Sequence, residues 1–271
     1  MTEAPESEGL FANLNGVNVF YRMEGEGEVV ILIHGLGESS DCFLRNITSI
    51  AEKHKVYALD LVGFGRSDKP KIDYSTDYYV GLIGDFMATL EIAQATLIGH
   101  SMGGLIALGA ANRYGEKVKR LVLIDSAGLP VALTPKLRLF RKLLPIPILG
   151  SLLRLSIKRI LSSRMNLSEL VCNFDVVPEV RREYKKASGR AVRQLALELE
   201  QAKKEEAISS IDVPTLLIWG AEDAFYPLTT AKEFKALIQN SELVIIDNAG
   251  HFTQMEKPEE CNAAILDFMN R

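Results

Sequence analysis

Residues 97–108 read LIGHSMGGLIAL, and Ser101 at their centre lies between glycines at 99 and 103. β-formers precede the serine and small, helix-compatible residues follow it. Gly-x-Ser-x-Gly alone arises readily by chance, so the neighbouring residues must carry the reading. A strand passing directly into a helix here would force Ser101 into a strained backbone and expose its hydroxyl as a nucleophile. Gly99 and Gly103 then make steric sense, because side chains there would collide across a tight turn. Gly104 and Ala107 would let the following helix lie close to the sheet.

A serine hydroxyl is a poor nucleophile at neutral pH and needs a base, a task suited to histidine. The chain has four histidines. His54 lies in polar AEKHK and reads as solvated surface. His34 closes an apolar strand and reads as shaping the loop that follows. His100 adjoins Ser101, but neighbours on a sharp turn point different ways. His251, in NAGHF before the last helix, is the residue expected to reach Ser101 as the base. The base in turn needs a carboxylate to hold its tautomer. Asp223, in GAEDAFYP, is the preferred partner; Asp125 at an earlier strand end and the adjacent Glu222 are the alternatives.

These residues require a scaffold that gathers strand ends. VVILI (29–33), KVYALDL (55–61), ATLIG (95–99), VKRLVLID (118–125), TLLIWG (215–220) and ELVIID (242–247) are short apolar runs of the kind buried on both faces of a sheet. Helical patterns separate them near 42–53, 78–90 and 102–114, and a closing helix runs from about 258. GVNVFYR (16–22) alternates like an antiparallel strand. Strands alternating with helices predict a mostly parallel α/β sheet covered on both faces, with ligand sites beyond the carboxyl ends of the strands.

Residues 127–204 break this pattern and read as helical, with three-and-four spacing of Leu and Ile from 149 to 161. They hold sixteen Lys or Arg against six Asp or Glu, a balance of +10, which leaves −14 for the rest of a chain of net charge −4. The segment is read as an insertion into an acidic core formed by 1–126 and 205–271.

With 271 residues, 47% of them hydrophobic, the chain can bury a substantial core. The net charge gives no reason to expect nucleic acid. The acidic start lacks the features of a secretion signal, no apolar run approaches a membrane span, and Cys42, Cys172 and Cys261 have no metal-ligand spacing. A cytoplasmic protein with buried or partly buried thiols and no cofactor is expected; GFG lacks the remainder of a dinucleotide fingerprint.

HGLGES, DLVGFGRSDKP, GHSMGG, WGAEDAFYP and AGHFTQMEKPEE together resemble the α/β-hydrolase superfamily, in that order and over about 16–128 and 211–271. The resemblance implies a Ser101–His251–Asp223 triad and a helical cap at 127–204. It also implies an oxyanion hole from the backbone N–H groups of Met102 and Leu36, while Phe64 and Arg66 read as scaffold. Haloalkane dehalogenases and epoxide hydrolases of this superfamily use aspartate where Ser101 stands. Its carbon–carbon hydrolases of ring-cleavage products usually carry asparagine before the serine and tryptophan after the histidine, where this chain has His100 and Phe252. The expected reaction is therefore hydrolysis of a small, hydrophobic carboxylic ester, of the carboxylesterase or lipase kind. The expected alternatives are a carbon–carbon hydrolase and a low-turnover ligand receptor of the same fold. Phe140, Leu143 and Leu144 of the cap, with Phe252, are expected to line the substrate site. The basic cap also suggests weak docking on anionic lipid surfaces, against the plainer reading of a lid whose charged face is solvated.

Overall fold

The computed structural model describes residues 9–129, 170–201 and 205–271. Among them, eight strands form one sheet: β1 (Gly9–Leu14), β2 (Val17–Glu24), β3 (Glu28–Ile33), β4 (His54–Leu59), β5 (Ala95–His100), β6 (Val118–Ile124), β7 (Thr215–Gly220) and β8 (Ser241–Ile246). The order is β1-β2-β4-β3-β5-β6-β7-β8. β1 with β2 and β2 with β4 pair antiparallel; every pair from β4 to β8 is parallel. The α/β-hydrolase fold expected from the sequence is the fold observed.

The continuous apolar runs are explained by burial on both faces. Ile31, Ile33, Leu97, Leu121, Leu123, Leu217 and Trp219 belong to one core. Their sequence neighbours Val30, Leu32, Ile98, Val122, Ile124, Leu216 and Ile218 belong to the other. Helices α1 (Leu44–Ala51), α2 (Thr76–Thr89) and α3 (Met102–Tyr114) follow β3, β4 and β5. Ser75 caps α2, its side chain accepting from the Tyr78 N–H at 3.2 Å. α3 is buried over most of its length because its first turn is glycine: a Cβ on Gly103 would stand 2.0 Å from the Ile33 carbonyl oxygen.

Between the adjacent strands β6 and β7 the described residues form α4 (Val177–Lys186), α5 (Gly189–Gln201) and α6 (Glu205–Ser209). α4 and α5 pack over loops at the carboxyl ends of β3 and β4. The Ser39 hydroxyl donates to Glu183 at 2.8 Å, the Ser188 N–H to the Gly63 carbonyl at 2.7 Å, and the Thr76 N–H to Glu198 at 2.7 Å. Phe140, Leu143, Leu144 and the Leu/Ile periodicity of 149–161 lie outside the described residues. α7 (Leu228–Leu237), α8 (Thr253–Glu256) and α9 (Pro258–Met269) complete the chain.

Three readings are corrected. His54 is buried rather than solvated, because it opens β4 and sits inside the sheet opposite Glu28 of β3. β8 is only partly buried, being an edge strand. Cys172 is exposed, whereas Cys42 and Cys261 are buried. Residues 9–14 also form an edge strand, to which the sequence reading assigned no element.

Candidate active site

Ser101 sits directly between β5 and α3 with φ +50° and ψ −115°, in the left-handed region that an L-residue occupies only when its surroundings enforce it. Its N–H donates to the Ile124 carbonyl at 2.9 Å, and its own carbonyl accepts from Ala127 and Gly104, each at 3.0 Å. A Cβ on Gly99 would lie 2.3 Å from the Gly103 carbonyl oxygen, so the turn closes only with glycine there. The serine is 6% exposed.

His251 lies in the loop between β8 and α8. Its Nε2 is 3.0 Å from Ser101 Oγ and its Nδ1 is 2.9 Å from Asp223 Oδ2. With a carboxylate on one side, Nδ1 carries the proton and Nε2 presents its lone pair to the serine hydroxyl. Asp223 follows β7, and its Oδ1 accepts from the Phe225 N–H at 2.7 Å and the Tyr226 N–H at 3.0 Å. The buried Trp219 indole donates to the Tyr226 carbonyl at 2.7 Å and fixes that turn.

The alternative acids are occupied elsewhere. Glu222 accepts from the Ala249 N–H at 3.2 Å. Asp125, also at positive φ, accepts from the Gly220 N–H at 2.9 Å and the Thr253 N–H at 3.2 Å. It thus ties β7 to the helix after His251. Burial, and next the charge of Asp223, raise its carboxyl to about 7.

The loop after β3 is equally constrained. His34 Nε2 accepts from the Leu61 N–H at 2.9 Å, so its Nδ1–H donates to the Gly35 carbonyl at 2.7 Å. Burial lowers the pKa of this imidazole, in keeping with the neutral ring. The Glu38 N–H reaches the same carbonyl at 3.3 Å, closing a turn whose third residue, Gly37, has φ +82°. A peptide plane is rigid, so holding the Gly35 carbonyl also aims the Leu36 N–H the opposite way. Met102, the first residue of α3, has no carbonyl one turn earlier for its N–H to meet. Tyr184 of α4 lies over this loop, where a Cβ on Gly37 would stand 2.2 Å from its ring.

Phe64 is fully buried with its ring 5.5 Å from that of His34. Arg66 bonds Asp60 and Asp41. Both are scaffold, as expected. Phe252 is buried, its ring 5.5 Å from both the His251 and His100 rings, and half-buried Phe225 lies 5.2 Å from His251. The sequence reading missed Glu256, which buries its carboxylate against four backbone donors: Gly250 (3.1 Å), Phe252 (3.2 Å), Cys172 (2.6 Å) and Asn173 (2.9 Å). It also missed Glu38, whose side chain accepts from the Gly35 N–H at 3.0 Å. The only signals were acids inside HGLGES and QMEKP, without apolar periodicity to suggest their burial.

Parallel strands that deliver a serine, a histidine and an acid to one edge define a hydrolase of the α/β kind. The chain belongs to the alpha/beta hydrolase family, whose model matches residues 30–264. It is 32% identical over 279 residues to a 2-hydroxy-6-oxo-6-(2'-aminophenyl)hexa-2,4-dienoic acid hydrolase of Metapseudomonas resinovorans, covering 96% of this chain and 90% of that one. It is 30% identical over 268 residues to a 2-hydroxymuconate semialdehyde hydrolase of Pseudomonas sp. (strain CF600), covering 94% and 91%. Among solved structures it resembles a membrane phospholipase A described as a bacterial virulence factor, with 27% identity, TM-score 0.80 and coverage of 97% and 86%.

Proposed function

We propose that the protein hydrolyses carboxylic esters of hydrophobic acyl or alkyl groups through an acyl-enzyme on Ser101. The observation that carries this reading is the 3.0 Å contact of His251 Nε2 with Ser101 Oγ, backed by Asp223 at 2.9 Å.

Ser101 Oγ attacks the ester carbonyl carbon as its proton passes to His251 Nε2. The oxyanion meets the N–H groups of Leu36 and Met102, fixed donors worth about 3–4 kcal/mol each to the transition state. Asp223 stabilises the imidazolium, which gives its proton to the departing alkoxide as the C–O bond breaks. A water then donates a proton to His251 and attacks the acyl carbon. Collapse of the second tetrahedral intermediate returns the proton to Ser101 and releases the acid. Phe225, Phe252 and Leu36 are the apolar surfaces an acyl or alkyl group would meet, and 127–204 is the segment assigned to the cap.

A second reading, carbon–carbon hydrolysis of a ring-cleavage product, is favoured by the two relatives whose names describe it. That reaction expels a carbon leaving group, which must be protonated on carbon. His251 can supply that proton in either reaction, so the triad alone does not separate the readings. His100 and Phe252 stand where such carbon–carbon hydrolases usually carry asparagine and tryptophan. The ester reading therefore leads.

Initial rates on nitrophenyl esters from acetate to dodecanoate, beside a 2-hydroxy-6-oxo-dienoate, test both readings, with Ser101→Ala as control. Ester turnover that collapses in the variant supports the first. Turnover of the dienoate alone replaces it with the second. Labelling of Ser101 without steady-state turnover marks a ligand receptor. Association with anionic lipid is proposed only on the basic balance of 127–204. Equal co-sedimentation with anionic and neutral vesicles would remove it.

A further inference from the structure

We propose that His100 is a buried imidazolium which, paired with Glu38, holds the oxyanion loop and the His251 loop in register with Ser101. It is a positioning residue, and its kinetic consequence rests on the acyl-transfer reading above, whereas its charge state does not.

The geometry makes the case. His100 Nδ1 is 3.0 Å from Glu38 Oε2, and Nε2 is 2.7 Å from the His251 carbonyl oxygen. A neutral imidazole has one N–H, so one of these contacts would set lone pair against lone pair. Beside an ionised Glu38, only the doubly protonated ring satisfies both. The proton belongs on the ring rather than on the carboxyl, because Glu38 also receives the Gly35 N–H on the same Oε2, at 3.0 Å. A carboxyl that accepts such donors is held ionised.

One ring, on the residue before the nucleophile, therefore joins two loops. Through Glu38 it fixes the Gly35–Glu38 turn that aims the Leu36 N–H. Through the His251 carbonyl it fixes the backbone of the base. Its neighbours are crowded enough to enforce this: a Cβ on Gly35 would stand 2.9 Å from both His100 Nδ1 and Glu38 Oε1.

The titratable groups facing the pair are Asp125 at the end of β6, the His251 ring at 5.1 Å, and Cys42, His34 and Tyr184 of α4 against Glu38. Burial opposes the charge on each partner, and their mutual attraction overcomes it. His100 is raised to about 9 and Glu38 lowered to about 2. The His100 proton thus stays bound through neutral pH and is lost as pH rises through about 9, where the ring can keep only one of its two contacts.

Long-range ¹⁵N–¹H spectra of the histidine rings, with His100 assigned from His100→Gln, test the charge state directly. Both nitrogens protonated at pH 7.5 is the expected result; a single protonated nitrogen overturns the proposal. Glu38→Gln can place its amide oxygen at the Oε2 position and keep both hydrogen bonds while removing the charge. Its His100 should hold the proton at least tenfold more weakly. Its kcat deficit against wild type should then grow as pH rises from 6 to 8.5, with KM little changed. A deficit equal at every pH would mean a merely structural role and would overturn the positioning assignment. Absence of ester turnover in wild type would sink the functional reading alone, since the spectra still decide the ion pair.

Discussion

A Cβ on Gly220 would stand 2.1 Å from the carbonyl oxygen of Gly250, so the strand end leading to Asp223 and the loop carrying His251 run backbone against backbone. That approach lets two side chains from different strands meet at 2.9 Å. Gly250 in turn lies against the Leu170 carbonyl, to which the His251 N–H donates at 2.7 Å. Gly220→Ala should push the loops apart and lower kcat at least tenfold, with a fall in Tm, since a gap of about 1 Å at such a contact is enough. Steady-state kinetics beside thermal unfolding would check it. A variant with wild-type kcat would show the loops to be independent.

Asp223→Asn and Asp125→Asn should separate cleanly in activity. The first leaves an amide where the His251 Nδ1 proton needs an acceptor, and kcat should fall on the order of 10³–10⁴-fold with the fold intact. Asp125 makes no hydrogen bond to the imidazole in this structure, so its variant should lose far less. Comparable losses in ester hydrolysis would contradict the assignment of the orienting acid.

The two variants should separate in stability as well. The folded-state pKa of Asp125 is raised, through burial first and Asp223 next, to about 7. A raised carboxyl contributes stability that is fully present below its ordinary pKa, about 3.9, and is lost as pH rises through the folded value. Asp125→Asn pays a constant cost of about 1–3 kcal/mol for one backbone N–H left facing an amide. It escapes the pH-dependent loss. Urea unfolding at pH 5 and pH 8 should show its deficit against wild type shrinking by about 1 kcal/mol or more. Parallel behaviour at the two pH values would refute the raised pKa.

Glu256→Gln should destabilise the His251 loop, because the amide can serve one pair of N–H donors and turns its NH₂ toward the other. About 1–3 kcal/mol of global stability should go, as the NH₂ turns toward the part-buried Cys172 and Asn173 N–H groups. Loss of amide protection in hydrogen exchange at Gly250, Phe252, Cys172 or Asn173 would locate it. Unchanged protection there would argue against the clasp.

Much of this was legible in the order of residues. Alternating strand and helix signals marked β3 to β8 within a residue or two, because strands buried on both faces must be apolar throughout. The glycines around Ser101 announced the turn, since only a missing Cβ allows that approach. Edge positions were harder. β1 and β8 each have one open side: β1 went unmarked, and β8 was marked but read as buried on both faces. His54 looked solvated because its sequence neighbours are charged, yet its strand places it inside the sheet.

Sequence by itself determined which strand ends would carry a serine, a histidine and several acids. Periodicity and glycine placement are local properties, and they act within a few residues. Tertiary structure alone decided which acid faces the histidine. Asp125 and Asp223 both follow core strands that are neighbours in the sheet. The Phe225 and Tyr226 N–H groups turn Asp223 toward His251, while the Gly220 and Thr253 N–H groups hold Asp125 away. It also decided that Glu38 and His100, 62 positions apart, would meet as a buried pair. Such partnerships depend on side-chain directions set by the packing of distant strands, and no spacing along the chain encodes them.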